Sequence, residues 1–175
     1  MDDYQQRLLD SLERARDSLL ISIEGLDQGT VTNATIFDDW TVKDIMGHLV
    51  SWGDELRSEI REILLDPTPA YGYVISSDKD FEEWNQNQAA AKRPLSMPEI
   101  LDSLDRDYQE SADLIRRLAP DELQRRGVVP WSLGPLPPPE VITLETSMSV
   151  AALIETHIQH ITEHSEDIRR WRSPA

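Results

Sequence analysis

Four histidines occur in this 175-residue chain, and three of them, His157, His160 and His164, fall within eight residues. On a helix, a step of three or four residues returns a side chain to nearly the same face. Leu153, His157, His160, His164, Ile168 and Trp171 therefore share one stripe, with imidazoles where leucines would otherwise pack. A pair at i, i+4 can place both ring nitrogens on one ion at about 2.0–2.1 Å. His160 and His164 have that spacing. His157 and His164 are separated by about 10 Å of helix axis and cannot share an ion. His157 could pair with His160 at i, i+3, but the longer spacing is better attested for helical ligands. That leaves His157 as a supporting group behind the ligands or as a core histidine. The fourth histidine, His48, lies beside another apolar stripe: Ile45, Leu49, Trp52, Leu56, Ile60 and Ile63. If the two segments meet across a helix bundle, His48, His160 and His164 converge on a divalent metal. The competing reading is a set of partly exposed histidines at a wet bundle end, hydrogen-bonded to Glu155, Glu163 or Asp167. Spacing alone does not separate the two, since short HxxxH pairs arise by chance. The core-facing position of the pair, with the remaining histidine beside a second core stripe, favours the metal.

The elements that must position these residues follow from hydrophobic period and helix punctuation. Leu8, Leu9, Leu12, Ala15, Leu19, Leu20 and Ile23 predict a long helix over 4–23, ended by Gly25 and Gly29, with 30–39 a polar loop. Thr41-Val42-Lys43-Asp44 has the form of a capping box opening a second helix, and Asp66-Pro67-Thr68-Pro69 stops it. Residues 70–76 read as a loop or stray strand. Residues 78–92 are helix-prone but weakly apolar, with Phe81 and Trp84 as anchors. Ser96-Met97-Pro98-Glu99 is a strong start for a third main helix reaching Leu118, and Pro120–Leu123 makes a short turn. The proline-rich stretch 124–142 reads as a stiff connection carrying Trp131 over one end of the bundle. The last helix is expected from about Leu144 to Trp171. The fold class is therefore all-α, a bundle of four long helices with an extra short helix and a Pro-rich loop before the last helix. A single domain spanning 1–175 is the simplest division.

Composition excludes several classes of function. There are no cysteines, hence no disulfide, thiolate nucleophile or Cys-ligated metal. The 17 Lys+Arg against 33 Asp+Glu leave a net charge of −16, a field that repels nucleic acid. The basic clusters Arg116-Arg117, Arg125-Arg126 and Arg169-Arg170 with Arg172 read as helix-end cations. No apolar run approaches the roughly 20 residues of a membrane span. The acidic, amphipathic N-terminus is not a secretory signal. A cytoplasmic protein that does not bind membranes or nucleic acid is expected.

The segment Trp40-Thr41-Val42-Lys43-Asp44-Ile45-Met46-Gly47-His48-Leu49, followed by Trp52 and the late His160–His164 pair, resembles the DinB-like superfamily. That group includes ClbS/DfsB-type proteins and mycothiol- or bacillithiol-dependent transferases. The resemblance spans essentially the whole chain in helix order, and its most specific piece is WTVKDIMGHL. It implies an antiparallel four-helix bundle, a three-histidine metal site at His48, His160 and His164, and a homodimer. The sequence departs from the thiol-transferase branch at Glu163-His164-Ser165-Glu166, where that branch often reads His-His-Arg-Gly.

Three neutral imidazoles leave a coordination position open, as catalytic sites do. All-imidazole ligation suits zinc, nickel or iron. Such an ion would acidify a bound water or activate a low-molecular-weight thiol. Glu55 and Glu163 are candidates to orient the imidazoles, and Trp52, Trp84, Trp131 and Tyr108 to wall a pocket above the ion. The expected function is that of a metal-dependent enzyme acting on a small reactive molecule by thiol transfer or hydrolysis. The alternative is a protective binding protein with a structural metal.

Overall fold

The computed structural model describes residues 2–37, 39–66, 75, 77–130 and 147–173. Seven helices occur among them: α1 (Asp3–Ile23), α2 (Gln28–Asn33), α3 (Val42–Leu65), α4 (Asp78–Lys92), α5 (Met97–Arg117), α6 (Pro120–Gln124) and α7 (Val150–Arg172). Two small antiparallel pairs join them. β1 (Thr35–Phe37) pairs with β2 (Trp40–Thr41), and β3 (Arg126–Gly127) with β4 (Met148–Ser149). The long helices close a ring in which α1 packs on α7, α7 on α3, α3 on α5 and α5 on α1, with α4 laid against α3. This is the expected antiparallel four-helix bundle. No helix among the described residues is long and apolar enough to cross a membrane.

The helix starts are those the sequence encodes. Thr41 accepts from the Asp44 backbone N–H at 3.2 Å while Asp44 accepts from Thr41 N at 3.0 Å. Asp44 also accepts from Arg93 Nε at 2.7 Å, which ties the start of α3 to the end of α4. Ser96 and Glu99 form the same reciprocal cap on α5. Each cap satisfies helix N–H groups that have no partner inside the helix. Gln5 acts at the opposite kind of end: its buried Nε2 donates to the carbonyls of Ile115 and Leu118 where α5 finishes.

The core runs the length of the ring. Leu8, Leu12 and Leu19 of α1 meet Ile45, Leu49, Ile60 and Ile63 of α3, Ile100 and Ile115 of α5, and Leu153, Ile154 and Ile168 of α7. Burying each such side chain stabilises the fold by roughly 1.5–3 kcal/mol before chain entropy is counted.

Two expectations are corrected. The stretch 30–39 is not merely a polar loop: α2, capped by Asp27, covers 28–33, and Thr35–Phe37 turns back on Trp40-Thr41. The last helix begins at Val150 and not near Leu144, because Met148-Ser149 are held in the pair with Arg126-Gly127 and Ser149 then caps the helix through Ala152 N at 3.0 Å. In α4 the expected anchors Phe81 and Trp84 pack on Trp52 of α3 at 5.7 and 4.6 Å, while the fully buried residues are Asn85 and Ala89. Trp131, most of the proline-rich stretch and residues 70–76 other than Ile75 lie outside the described residues. Ile75 itself is buried and donates its N–H to the Pro130 carbonyl at 2.9 Å.

Candidate metal centre

The histidines expected to meet do meet. The Nε2 atoms of His48 and His160 are 3.1 Å apart. One ring nitrogen from each of His48, His160 and His164 lies within 4.8 Å of the others. His48 is buried on α3; His160 and His164 are half-buried one turn apart on α7. The His48 and His160 rings stand edge to face with centroids 5.0 Å apart, and the His160 and His164 rings are tilted to one another at 4.6 Å.

The roof over this cluster comes from the strand pair that periodicity missed. Trp40 sits edge-on to His48 at 4.9 Å, and Phe37 stacks on His164 at 6.2 Å and on Trp40 at 5.9 Å. The wall comes from Trp52, 5.8 Å from the His160 ring and 4.6 Å from Trp84. Trp52 Nε1 donates to the buried Asn85 at 3.1 Å, which fixes the indole plane.

Electrostatics hold the cluster neutral. Burial, and next the charge of His164, push the His48 imidazole down to about 3. Burial and the neighbouring histidines push His160 down to about 2. Burial also lowers His164, opposed by Asp167, whose Oδ2 lies 3.4 Å from His164 Nδ1. That contact is too poorly aligned to count as a hydrogen bond, and His164 Nδ1 and His48 Nδ1 are buried without hydrogen-bond partners among the described residues.

Such a set fits a cation. One N–H···N hydrogen bond can account for the His48–His160 contact, but it leaves the third imidazole unserved. Two nitrogens bound at 2.0–2.1 Å to one ion stand about 2.9–3.4 Å apart for ligand angles between square and tetrahedral. The observed 3.1 Å falls within that range.

The other candidate residues divide. His157 is buried outside the trio, with Nε2 4.0 Å from Asp107 Oδ2, and burial together with Arg57 pushes it down to about 4. Glu163 lines the cavity beside His160 and accepts from Gln159 at 2.9 Å. Glu55 is half-buried on α3 and does not line that cavity among the described residues. Asp167 is the carboxylate in contact with a ligand ring at 3.4 Å, and the charge of Glu163 acts on the same His164 ring more weakly. Tyr108 is placed away from the site. It lies on α5 under the Arg16 guanidinium at 4.9 Å and lines a separate cavity between α1 and α5.

Sequence reasoning missed a second polar cluster. Arg57 (4% exposed) and Asp107 (6% exposed) form a buried ion pair joining α3 to α5. Arg57 also reaches Asp54 at 2.6 Å, Glu110 at 3.2 Å and Ser111 at 3.1 Å. Burial raises the Asp107 carboxyl to about 6 despite the guanidinium. A Cβ at Gly53 would fall 1.7 Å from Asp107 Oδ1, so the approach of the two helices needs glycine there. Glycine one turn before an arginine on an otherwise apolar face was the available signal.

A family model for the DinB superfamily matches residues 11–168. The chain belongs to the DinB superfamily. Three solved structures share the fold. One is a protein of Streptococcus pneumoniae, 15% identical, TM-score 0.73, covering 98% of this chain and 92% of that one. A second is an uncharacterised protein of Clostridium difficile, 12% identical, TM-score 0.75, with 98% and 97% covered. The third is DfsB, described as a sibling lethal factor precursor, 19% identical, TM-score 0.73, with 98% and 96% covered. No curated protein matches. At these identities the likeness speaks for the fold alone.

Proposed function

We propose that this DinB-superfamily protein is a metal-dependent enzyme in which His48, His160 and His164 hold one divalent ion. Zinc is the first choice, with nickel or iron as alternatives. The observation that carries the reading is the 3.1 Å approach of His48 Nε2 to His160 Nε2, with His164 beside them and burial keeping the rings unprotonated. When bound, the ion would supply Lewis acidity to a water or an exogenous thiol.

The chain's own residues do the rest. Trp40 and Phe37 cover the histidines on one side, and Trp52 separates them from α4. Asp167, 3.4 Å from His164 Nδ1, is placed to accept that N–H once an ion sets the ring, the role carboxylates take behind ligating imidazoles. A cavity of about 350 Å³ opens beside His160, walled by Trp52, Leu56, Phe81 and Leu153, and receives the reacting molecule. Glu163, steadied by Gln159 on that wall, is available to accept a proton. The described lining carries Glu59 and Glu163 but no lysine or arginine. That favours hydrolysis over transfer from a carboxylate-bearing thiol cofactor, which would need a basic cradle.

Metal content of protein purified without a histidine tag, compared with His160→Ala, tests the centre: about one ion per chain against none is expected. Turnover of 4-nitrophenyl acetate, and of a thiol with 1-chloro-2,4-dinitrobenzene, tests the chemistry. Equal rates for wild type and His160→Ala on both would remove the enzyme reading and leave a binding protein with a structural metal. The exposure of Ile21 and Leu65 supports a homodimer, which a monomeric mass by light scattering would exclude.

A further inference from the structure

A second cavity, of about 290 Å³, enters the bundle between α1 and α5 and is lined by residues of all four long helices. Leu12 and Leu19 come from α1, Leu104 and Tyr108 from α5, Leu49 from α3 and Ile161 from α7. The last two show its depth, because α3 and α7 stand across the ring from the opening. A crevice confined to the seam between two helices would not reach them. Leu49 directly follows His48, and Ile161 directly follows His160. Adjacent helix positions point about 100° apart, so these two side chains turn away from the imidazoles. No described residue lines both this cavity and the one beside His160.

The inner wall is hydrocarbon: Leu12, Leu19, Leu49 and Ile161 are all buried. Every charged group on the lining is either paired or exposed. Arg16 is held by Asp105 at 2.6 Å and by Asp17 at 3.5 Å, with the Tyr108 ring 4.9 Å from its guanidinium. Asp107 is engaged by Arg57. Asp102 and Asp105 are solvent-exposed and so mark the rim. A charged ligand would shed its water here and find no unmatched counter-charge inside to replace it. A water held inside needs two to four polar partners, and the four aliphatic side chains of the inner wall offer none. What such a wall accepts is an uncharged apolar molecule. An apolar cavity of about 150 Å³ already admits benzene, so this one has room for two fused rings.

We propose that the cavity between α1 and α5 is a binding site for a compact, uncharged, apolar ring molecule, held by packing and by no ion pair. The site stands apart from the histidine centre and draws on no part of the metal reading.

Methyl-detected NMR titration of the full chain tests it with three matched probes: indole, indole-3-carboxylate and 3-(aminomethyl)indole. Indole is expected to bind saturably and at least tenfold more tightly than either charged probe. Leu104 is half-buried on the lining, so Leu104→Trp places a bulky ring in the cavity and should lower indole affinity at least tenfold. Phe81 lines only the cavity beside His160, and Phe81→Ala should keep indole affinity within twofold of wild type. Four results would overturn the proposal: no saturable indole binding, a charged probe binding as tightly as indole, affinity surviving Leu104→Trp, or affinity lost in Phe81→Ala alone. Should circular dichroism show Leu104→Trp unfolded, nuclear Overhauser contacts in the wild type decide. Contacts from the indole ring protons to the methyl groups of Leu49 and Ile161 support the assignment, and contacts confined to Leu56 and Leu153 overturn it. Zinc binding is measured separately, and neither result bears on the other.

Discussion

Two polar clusters are buried in this bundle, and they are built on opposite principles. Around Arg57 every guanidinium nitrogen has an acceptor, from the buried Asp107 and Ser111 and from the more exposed Asp54 and Glu110, so the buried cation is served within the protein. Around His48, His160 and His164 the groups are neutral ring nitrogens facing one another, with Asp167 close behind His164. A buried polar group that finds its complement is part of the scaffold, whereas convergent acceptors without a donor await something from outside. The lesson is that buried polarity marks a binding site only where the internal pairing fails to close.

The contrast is broken most severely by removing the hub of the closed cluster. Arg57→Met leaves Asp107 buried without its cation and should cost about 3–5 kcal/mol of unfolding free energy. Urea denaturation measures this, and a loss under 1 kcal/mol would show the pair to be ornamental. At the open cluster the scaffold should instead be tolerant. Zinc at a hundred times its dissociation constant should raise wild-type stability by about 2.7 kcal/mol. His160→Ala should fold without zinc and gain nothing from it; a metal-free melting temperature far below wild type would count against the distinction. Asp167→Asn sharpens the comparison further. It should weaken zinc binding by about tenfold, since a carboxylate behind a ligating imidazole is typically worth 10–100-fold in affinity. Affinity within a factor of two of wild type would assign Asp167 to the surface.

The smallest effect is one of pH. His157 is held neutral in the fold, down to about 4, but takes up a proton in the unfolded chain near 6.5. The unfolded state then binds more protons, so stability is fully present above that unfolded value and falls as pH drops towards the folded one. Between pH 6.5 and 5.5 this amounts to about 1 kcal/mol for one histidine. Asp107, raised to about 6, works the other way, because its extra proton is bound in the fold. His157→Gln should therefore lose about 1 kcal/mol less than wild type over that interval. Identical slopes in the two proteins would mean that the ring is protonated in place.

Much of this was legible in the residues. Thr41 with Asp44 and Ser96 with Glu99 announce two helices because reciprocal caps are local chemistry. The i, i+4 step of His160 and His164 fixes their common face for the same reason. What lay beyond reach depends on partners distant in sequence. Arg57 and Asp107 are fifty residues apart, and nothing local says that two charges on different helices will be buried together. Phe37 and Trp40 escaped because a two- or three-residue strand leaves no period to count. The start of α7 does not follow from local signals because Arg126 and Gly127, more than twenty residues earlier, hold Met148 and Ser149 in an extended pair. Tyr108 was assigned by residue type, whereas the face of α5 it occupies looks towards α1.

The packing of Trp52 has an optical consequence. Its indole lies 6.1 Å from the His48 ring and 5.8 Å from that of His160, while Trp40 stands 4.9 Å from His48 on the other side. Excited indoles at that range are quenched by open-shell cations such as nickel or copper and brightened or shifted by closed-shell zinc. The protein thus carries its own fluorophores at the rings, and its emission spectrum reports what those rings hold without any label being attached.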